Sequence, residues 1–263
     1  MYLINIFILS LLGLFFGSFF GVLVDRLPRH EDVIKGRSHC ENCKKELAWY
    51  DLLPVLSFVL LRGKCRYCKA KLSLLYPAIE ISTGILFALT YAFFSSQFSI
   101  LNFQLIYYLF IVSSFIVIFF TDLKYGIIPD KITYTAILVT FLWLIFGSQS
   151  LLINHLLSGA GAFLFFIVIS YVFYFLTKKE SMGGGDIKLS FLLGVFLGFP
   201  NIVISLYLAF LTGAFWSIIL ILWKRKKFRE STLPFGPFLV AGALVSIFWG
   251  DLIFSKVIIF LGF

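Results

Sequence analysis

Charged residues are scarce in this chain of 263 residues, at 13% of the sequence, whereas hydrophobic residues make up 60% and aromatic residues 19%. With a mean hydropathy of +1.00, this composition excludes an ordinary soluble domain. Apolar stretches long enough to cross roughly 30 Å of hydrocarbon recur along the chain, and one long polar segment at about residues 25–73 interrupts them. The sequence therefore predicts an all-α polytopic membrane protein.

Eight apolar stretches are predicted to form transmembrane helices. They lie near residues 3–24, 74–94, 101–121, 131–147, 152–177, 186–199, 201–223 and 235–262. As a helix, the stretch at 186–199 covers only about 21 Å, so we expect it to begin inside a cavity and not at the lipid surface.

Lysine and arginine are distributed very unevenly between the two sides. Three connections contain neither residue: 95–100, 147–151 and 199–201. By contrast, 11 of the 22 basic residues fall between Arg26 and Lys71. Because basic residues accumulate on the cytoplasmic side, the polar segment is predicted to be cytoplasmic and both termini to face outward. The first stretch is too long for a signal-peptide core and is predicted to be retained.

The net charge of +9 is explained by this topology, so we expect no nucleic-acid partner. Membrane lipid is the expected partner of the basic run at Lys224, Arg225, Lys226 and Lys227, through attraction to anionic headgroups.

Cysteine is confined to the polar segment, as Cys40-x-x-Cys43 and Cys65-x-x-Cys68 separated by 21 residues. Paired CxxC motifs suit one tetrahedral zinc ion, and a cytoplasmic location disfavours disulfides. Because thiolates would fill all four positions, the zinc is expected to be structural. The alternative is a loop with free or redox-active cysteines, and His39 is a possible substitute ligand.

Two acids stand at the ends of apolar stretches. Asp186 follows Gly183, Gly184 and Gly185, and Asp122 precedes a segment broken by glycine and proline. Ionisable side chains at membrane depth are costly and are functional candidates by default. Two carboxylates about 4 Å apart repel by about 4 kcal/mol at an effective dielectric near 20, so the pair would share a proton. One carboxylate would then activate water while the other polarises a carbonyl.

Three further residues have competing interpretations. Asp130 precedes the fourth stretch and is interpreted as a helix N-cap. Lys188 either leans toward Asp186 or extends to the interface. Glu80, at the start of the second stretch, is either a functional polar contact or a structural one.

Six ordered motifs resemble the bacterial type IV prepilin peptidases, which are GxGD-type membrane aspartyl proteases. The motifs are Phe16 to Phe19 with Arg26-Leu27-Pro28, the four-cysteine loop, Tyr76-Pro77 with Glu80, Asp122 with Ile128-Pro129-Asp130, Gly183 to Asp186 with Lys188, and Leu233 to Phe238. They cover almost the whole chain. In this sequence Gly21 and Asp25 depart from the residues usual in the family, as does Gly184, whose place is often taken by Met.

The resemblance implies a two-step activity at the cytoplasmic face of the bacterial inner membrane. Prepilins or pseudopilins would be cut after a glycine by Asp122 and Asp186, with support from Gly183, Gly185, Lys188 and Glu80. The new N-terminal residue would then be methylated from S-adenosylmethionine. The implied division is a first helix at 1–24, a zinc-binding loop at 25–73 and an aspartyl protease bundle at 74–263.

Two alternative functions share some of these features. Other intramembrane GxGD proteases, of the presenilin and signal-peptide-peptidase kind, have Tyr-Asp at the first acid and Pro-Ala-Leu near the end. Here the first acid follows Thr121 and the late motif reads Leu-Pro-Phe-Gly-Pro. A zinc-responsive transporter would also combine a metal loop with acids among broken helices, but it should show repeated halves. The glycine-acid element and the cysteine element each occur once.

Overall fold

The computed structural model describes residues 2–33, 35–94, 102–147, 149–178, 183–223 and 234–260. Its helices are α1 Tyr2–Arg26, α2 Leu56–Leu60, α3 Leu75–Phe94, α4 Phe103–Tyr125, α5 Asp130–Gly147, α6 Leu152–Thr177, α7 Gly184–Leu197, α8 Asn201–Leu222 and α9 Gly236–Phe260. Single turns of 3₁₀ helix occupy Trp49–Leu52 and Gln149–Leu151. Within these ranges the extended pairing is limited to the isolated bridges His39 to Glu46 and Lys64 to Lys71.

The helices confirm the predicted fold class. Seven of those in the described ranges are long and apolar enough to cross a membrane, namely α1, α3, α4, α5, α6, α8 and α9. The remaining predicted span is α7, whose 14 residues place it below that length. Helix α4 continues to Tyr125, so Asp122 lies in its last turn and not beyond its end. The basic run at 224–227, the connection at 95–100 and Leu233 lie outside the described residues.

Many large apolar side chains remain exposed on these helices. Leu3 and Phe7 of α1 are 77% and 67% exposed, and Tyr171 and Leu176 of α6 are 69% and 75% exposed. In water such surfaces would be a liability, whereas hydrocarbon accepts them without cost. The exposure therefore agrees with an integral membrane protein.

The chain divides into two compact units, Met1–Phe120 and Thr121–Phe263. In the first unit α1 packs directly on α3 through small residues. A Cβ on Gly13 would lie 2.8 Å from Cα of Gly84, and one on Gly17 would lie 2.6 Å from Cα of Glu80. The backbones thus approach as in small-xxx-small helix pairs, and a larger residue at either glycine would separate them. The connection from α1 to α3 carries the four cysteines.

In the second unit α7 is the central helix, in contact with α5, α6, α8 and α9. Its residues Leu189, Leu192 and Leu193 are completely buried. At Gly194 the backbone of α7 lies against that of α6, where a Cβ would be 2.6 Å from Cα of Gly159. Neighbouring helices cover α7 and separate it from lipid. It therefore does not have to cross the whole bilayer, and it does not need an apolar stripe that faces lipid.

Candidate active site and metal site

Asp122 is buried in the last turn of α4, with 5% of its surface exposed. Its carbonyl accepts a 2.8 Å hydrogen bond from the N–H of Gly126, whose φ of +66° ends the helix. Among the described residues, Oδ2 of Asp122 is buried and has no hydrogen-bond partner. Burying a carboxylate oxygen without a hydrogen-bond donor costs free energy. Such an oxygen is typical of a functional group.

Asp186 lies in the first turn of α7, where Gly183 caps the helix. The N–H of Asp186 donates a 3.0 Å hydrogen bond to the carbonyl of Gly183. Gly183 and Gly184 are exposed, Asp186 is half-buried, and a Cβ on Gly184 would meet no atom within 4 Å. The positive end of the α7 dipole favours the ionised form of the Asp186 side chain. Because the neighbouring glycines have no side chains, one side of Asp186 is left open.

The side chain of Ile128 lies against both the glycine that precedes Asp186 and a glycine that lies against Asp122. A Cβ on Gly185 would lie 3.0 Å from Cβ and 3.3 Å from Cδ1 of Ile128. A Cβ on Gly236, the first residue of α9, would lie 3.3 Å from the same Cδ1 and 2.5 Å from Oδ2 of Asp122. The two carboxylates are close enough to repel each other electrostatically. Residues 64 positions apart in the chain thus form one site.

The residues predicted to support Asp122 and Asp186 make different contacts. Gly185 is the contact with Ile128, and Gly183 is the helix cap. Lys188 does not lean toward Asp186; its Nζ donates to both carboxylate oxygens of Asp130, at 2.9 and 3.0 Å. Asp130 is the first residue of α5, so its carboxylate joins the starts of α5 and α7. The pair is half-exposed, and pairs of that kind contribute at most about 1 kcal/mol.

Glu80 belongs to the first unit, where it is 9% exposed on α3. Its Oε2 accepts a 2.7 Å hydrogen bond from the N–H of Val55. Its Cα lies against Gly17 of α1. The residue therefore links α1, α3 and the cysteine loop.

The four cysteine sulfurs lie within 4.8 Å of one another, although they come from two separate motifs. Sγ of Cys40 is 3.8 Å from Sγ of Cys68. Four sulfurs at the usual Zn–S distance of about 2.3 Å form a tetrahedron with edges of about 3.8 Å. The cluster therefore has the dimensions and the ligand type that zinc requires.

The two motifs repeat one backbone design. In the first, the N–H of Cys40 donates to the carbonyl of Lys45, and that of Lys44 donates to the carbonyl of Cys40, at 3.0 and 2.8 Å. In the second, Cys65 and Ala70 make the same bond at 2.8 Å, and Lys69 and Cys65 make the other at 3.0 Å. Lys44 and Lys69 both have positive φ, at +57° and +60°. Each motif is thus a tight turn, and the two turns together bring the four sulfurs into one cluster.

The thiols of the cluster titrate together and not independently. The backbone N–H of Ala70 lowers the pKa of Cys68 to about 6, whereas the pKa of Cys43, despite the lowering effect of the Lys45 backbone, is raised to about 11 by burial and by hydrogen bonds to the other thiols. The side-chain amide of Asn42 also donates to Sγ of Cys68, at 3.7 Å. His39, the possible substitute ligand, instead places Nδ1 3.5 Å from the carbonyl of Arg37.

Sequence reasoning missed three contributors to these sites. Gly236 had no assigned role, although a glycine that follows Pro234 and Phe235 and precedes Pro237, at the start of an apolar stretch, signals a close backbone approach. Ile128 and Val55 carry no chemistry that a pattern could reveal, and only their contacts show their roles.

Two family models and several curated proteins match this chain. Residues 11–94 match the family model of the bacterial peptidase A24 N-terminal domain, and residues 109–218 match that of the type IV leader peptidase family. A Bacillus subtilis (strain 168) protein named prepilin leader peptidase/N-methyltransferase is 32% identical over 255 residues, covering 94% of this chain and 96% of that protein. Proteins of the same name from Legionella pneumophila and Aeromonas hydrophila are 34% and 29% identical. They cover 83% and 92% of this chain, and 74% and 89% of their own lengths. No solved structure shows significant similarity.

The apolar helices and the match to a leader peptidase family model define an integral membrane peptidase. The chain belongs to the type IV leader peptidase family, in the branch whose members are prepilin leader peptidase/N-methyltransferases. It is accordingly a membrane protease with an associated methyltransferase activity.

Proposed function

We propose that this protein removes the leader peptide of prepilins or pseudopilins with Asp122 and Asp186 as its catalytic pair, and then methylates the new N-terminus. The observation that carries the proposal is the convergence of the two acids. Ile128 packs on the glycine before Asp186 and on the glycine against Asp122. The names of the related proteins supply the substrate class and the second activity.

The chemistry follows from two carboxyl groups that cannot both be ionised at close range. The ionised group takes a proton from a water molecule, whose oxygen attacks the peptide carbonyl carbon. The protonated group donates to the carbonyl oxygen as negative charge develops there. The C–N bond then breaks as the leaving nitrogen receives the proton taken from water, and a hydroxyl of the tetrahedral intermediate returns its proton to the other carboxylate, so that the pair returns to its starting state. Water and an extended peptide can approach from the side where Gly183 and Gly184 are exposed.

The proposed location is the cytoplasmic face of the inner membrane. Gly236 at the start of α9 lies against Asp122 near the end of α4, and Gly185 at the start of α7 lies against Ile128 in the connection from α4 to α5. Lys124 lies at the end of α4, Lys131 at the start of α5, Lys178 at the end of α6 and Lys188 near the start of α7. The opposite connections 147–151 and 199–201 contain no Lys or Arg. By the positive-inside rule the basic end faces the cytoplasm, with both termini outside. A basic leader lies on that side before a prepilin is exported.

A mass spectrum of the reaction product tests the whole proposal. Purified protein in detergent is incubated with a prepilin and S-adenosylmethionine. We expect a shortened product that begins after the glycine and carries one added methyl group. A prepilin with that glycine replaced serves as the control and should remain intact. An intact wild-type prepilin would contradict the proposed function.

We further propose that Cys40, Cys43, Cys65 and Cys68 hold one structural zinc ion. The fit of the sulfur spacing to a tetrahedron and the repeated turn geometry support this assignment. The ion would join the two turns of a loop that has little apolar core, so its role would be to stabilise the loop.

Replacing Cys40 with Ser is expected to lower the zinc content well below about one ion per chain, because one of four ligands is lost. Methylation should fall more than proteolysis, since the catalytic acids lie outside the loop. Metal analysis of the purified variant and product spectra measure both effects. His39→Ala is the matched control and should retain zinc, because His39 lies outside the sulfur cluster. Active wild-type protein without zinc would contradict the assignment.

A further inference from the structure

The connection between α1 and α3 contains a short apolar run that neither the catalytic pair nor the cysteine cluster uses. Residues 52–61 read Leu-Leu-Pro-Val-Leu-Ser-Phe-Val-Leu-Leu and include no charged residue. A run of this length is too short to cross a bilayer, and it is typical either of a buried core helix or of a segment at the membrane interface. Helix α2, Leu56–Leu60, forms the second half of the run.

The exposure of α2 excludes a core helix. All five of its residues are partly or largely exposed. Leu56, Val59 and Leu60 share one face of the helix, because they are spaced i, i+3 and i+4, and they are 54%, 63% and 72% exposed. Ser57 and Phe58 instead line a cavity of about 540 Å³ between α1, α3 and the cysteine loop. Helix α2 therefore presents three aliphatic side chains outward.

A hydrogen bond to α3 fixes the depth at which α2 begins. The N–H of Val55, the residue before α2, donates to Oε2 of Glu80 at 2.7 Å. Glu80 lies five residues beyond the start of α3 at Leu75, which is about 7.5 Å at 1.5 Å per residue. Val55 has a φ of +60°, which a β-branched residue rarely adopts. Such strain persists only where the surrounding structure enforces it, so the position of α2 is tightly held.

A second contact gives a similar level on α1. Oγ of Ser18 lies 3.4 Å from the carbonyl oxygen of Leu52, the first residue of the run. Helix α1 continues for eight residues beyond Ser18, to Arg26, which is about 12 Å along its axis. Both helices are long and apolar enough to cross a membrane. The run therefore lies beside membrane-spanning parts of α1 and α3 and below their ends.

The charges around the run match an anionic lipid surface. Residues 52–79 contain no Asp or Glu. The acid just before them, Asp51, has only 3% of its side chain exposed and pairs with Arg66 at 2.6 Å. Long basic side chains can reach headgroup phosphates while neighbouring apolar residues enter the acyl chains. The same 28 residues contain five exposed basic residues, namely Arg62, Lys64, Arg66, Lys69 and Lys71.

We propose that residues 52–61 form an interfacial anchor, in which Leu56, Val59 and Leu60 insert among the acyl chains of the adjacent leaflet. An interfacial helix lies with its apolar face about 5–10 Å into the boundary between headgroups and acyl chains, which agrees with the level of Glu80. In the orientation proposed above this is the cytoplasmic leaflet, and the partner is anionic phospholipid. The anchor holds the cysteine loop against the bilayer between its attachments to α1 and α3, and it does not depend on the catalytic pair.

Photolabelling from the acyl chains tests the anchor in the unaltered protein. The full chain is placed in nanodiscs of phosphatidylethanolamine and phosphatidylglycerol, with a phospholipid that carries a diazirine either near the glycerol or at the chain end. Peptide mapping should find label in residues 52–61, and more of it from the diazirine near the glycerol. Leu11 and Leu12, both 45% exposed near the middle of α1, are the reference and should show the reverse preference. Label on α1 without label on residues 52–61 would overturn the proposal.

A photoprobe on α2 identifies what covers its outer face. Benzophenone is introduced at Leu60, the most exposed of the three residues, and the mass of the adduct is measured in the same nanodiscs. We expect a phospholipid adduct. An adduct with residues 121–263 or with a second copy of the chain, or no adduct at all, would show that this face meets protein or water and would overturn the anchor. The same probe at Glu46, which pairs with Arg37 on the exposed part of the loop, is the control and should acquire no lipid.

Replacing Leu56 and Leu60 together with Asp is expected to speed tryptic cleavage after Arg62 or Lys64 at least about tenfold in nanodiscs. Moving one leucine side chain from hydrocarbon to water shifts an equilibrium by about that factor or more. Leu56→Met with Leu60→Met keeps the face apolar and should be cleaved at the wild-type rate. If size-exclusion chromatography shows that the paired Asp variant is folded and it is cleaved no faster than the wild type, the outer face is not inserted. The wild-type photolabelling decides the question even if that variant misfolds.

Discussion

Replacing Asp122 or Asp186 with Asn is expected to reduce the rate of leader cleavage by at least about 10²–10⁴-fold, the usual contribution of a positioned acid or base. Asn is nearly the same size as Asp but can neither accept a proton from water nor donate one to the carbonyl oxygen. Initial rates of prepilin cleavage in detergent measure the effect. Because the substitution preserves volume, membrane insertion and yield should stay at wild-type levels.

The double variant provides a sharper test of a shared mechanism. Two groups that act as a unit show strongly non-additive losses, so Asp122→Asn with Asp186→Asn should cost little more than either change alone. Asp251→Asn is the matched control. Asp251 accepts a hydrogen bond from Asn201 and lies in α9, 15 residues beyond Gly236. Its replacement should leave cleavage unchanged. Full-rate cleavage by either single variant would refute the catalytic pair.

Gly236→Ala is expected to lower kcat for cleavage by about 10²-fold with little change in KM, because small displacements of catalytic groups have effects of this size. The new Cβ would lie 2.5 Å from Oδ2 and 3.1 Å from Cγ of Asp122, closer than real contacts allow. The buried carboxylate would have to turn away from its present position. Steady-state kinetics with a fluorogenic leader peptide would separate kcat from KM.

Two glycine substitutions in the GxGD segment calibrate this prediction. Gly184→Ala meets no atom within 4 Å and should cleave at the wild-type rate. Gly185→Ala would contact Cβ of Ile128 at 3.0 Å, so an intermediate loss is expected. If Gly236→Ala retained wild-type kcat, the contact between Gly236 and Asp122 would have no catalytic importance.

The helices were predictable from the sequence because a helix that spans the hydrocarbon core must be apolar over about 20 residues. The stretch predicted at 152–177 is α6, and the one predicted at 201–223 ends one residue earlier, at Leu222. Helix α4 was the largest discrepancy, since hydropathy falls at Asp122 while the hydrogen-bonded helix continues to Tyr125. Hydropathy reports the cost of burial, and it does not report where backbone hydrogen bonding stops.

The partners of individual side chains were less predictable. For Lys188 the sequence left two possibilities open, a lean toward Asp186 or an extension to the interface. In the structure it donates to Asp130, 58 positions away, because α5 and α7 begin side by side. For Glu80 the sequence left a functional and a structural role equally open, and only the structure shows that its contacts join α1, α3 and Val55 within the first unit. Such pairings depend on helix packing, which no local pattern encodes.

The sequence by itself determined the membrane-embedded helices, the four-cysteine loop and the identity of the two candidate acids, because each depends on composition or on residue spacing along one segment. Only the tertiary structure decided that Ile128 and Gly236 bring Asp122 and Asp186 into one site. It alone also showed that the cysteine sulfurs gather within 4.8 Å and that Glu80 lines a cavity. The physical reason is that these contacts join residues distant in the chain, and their distances are set by how glycines let helix backbones approach.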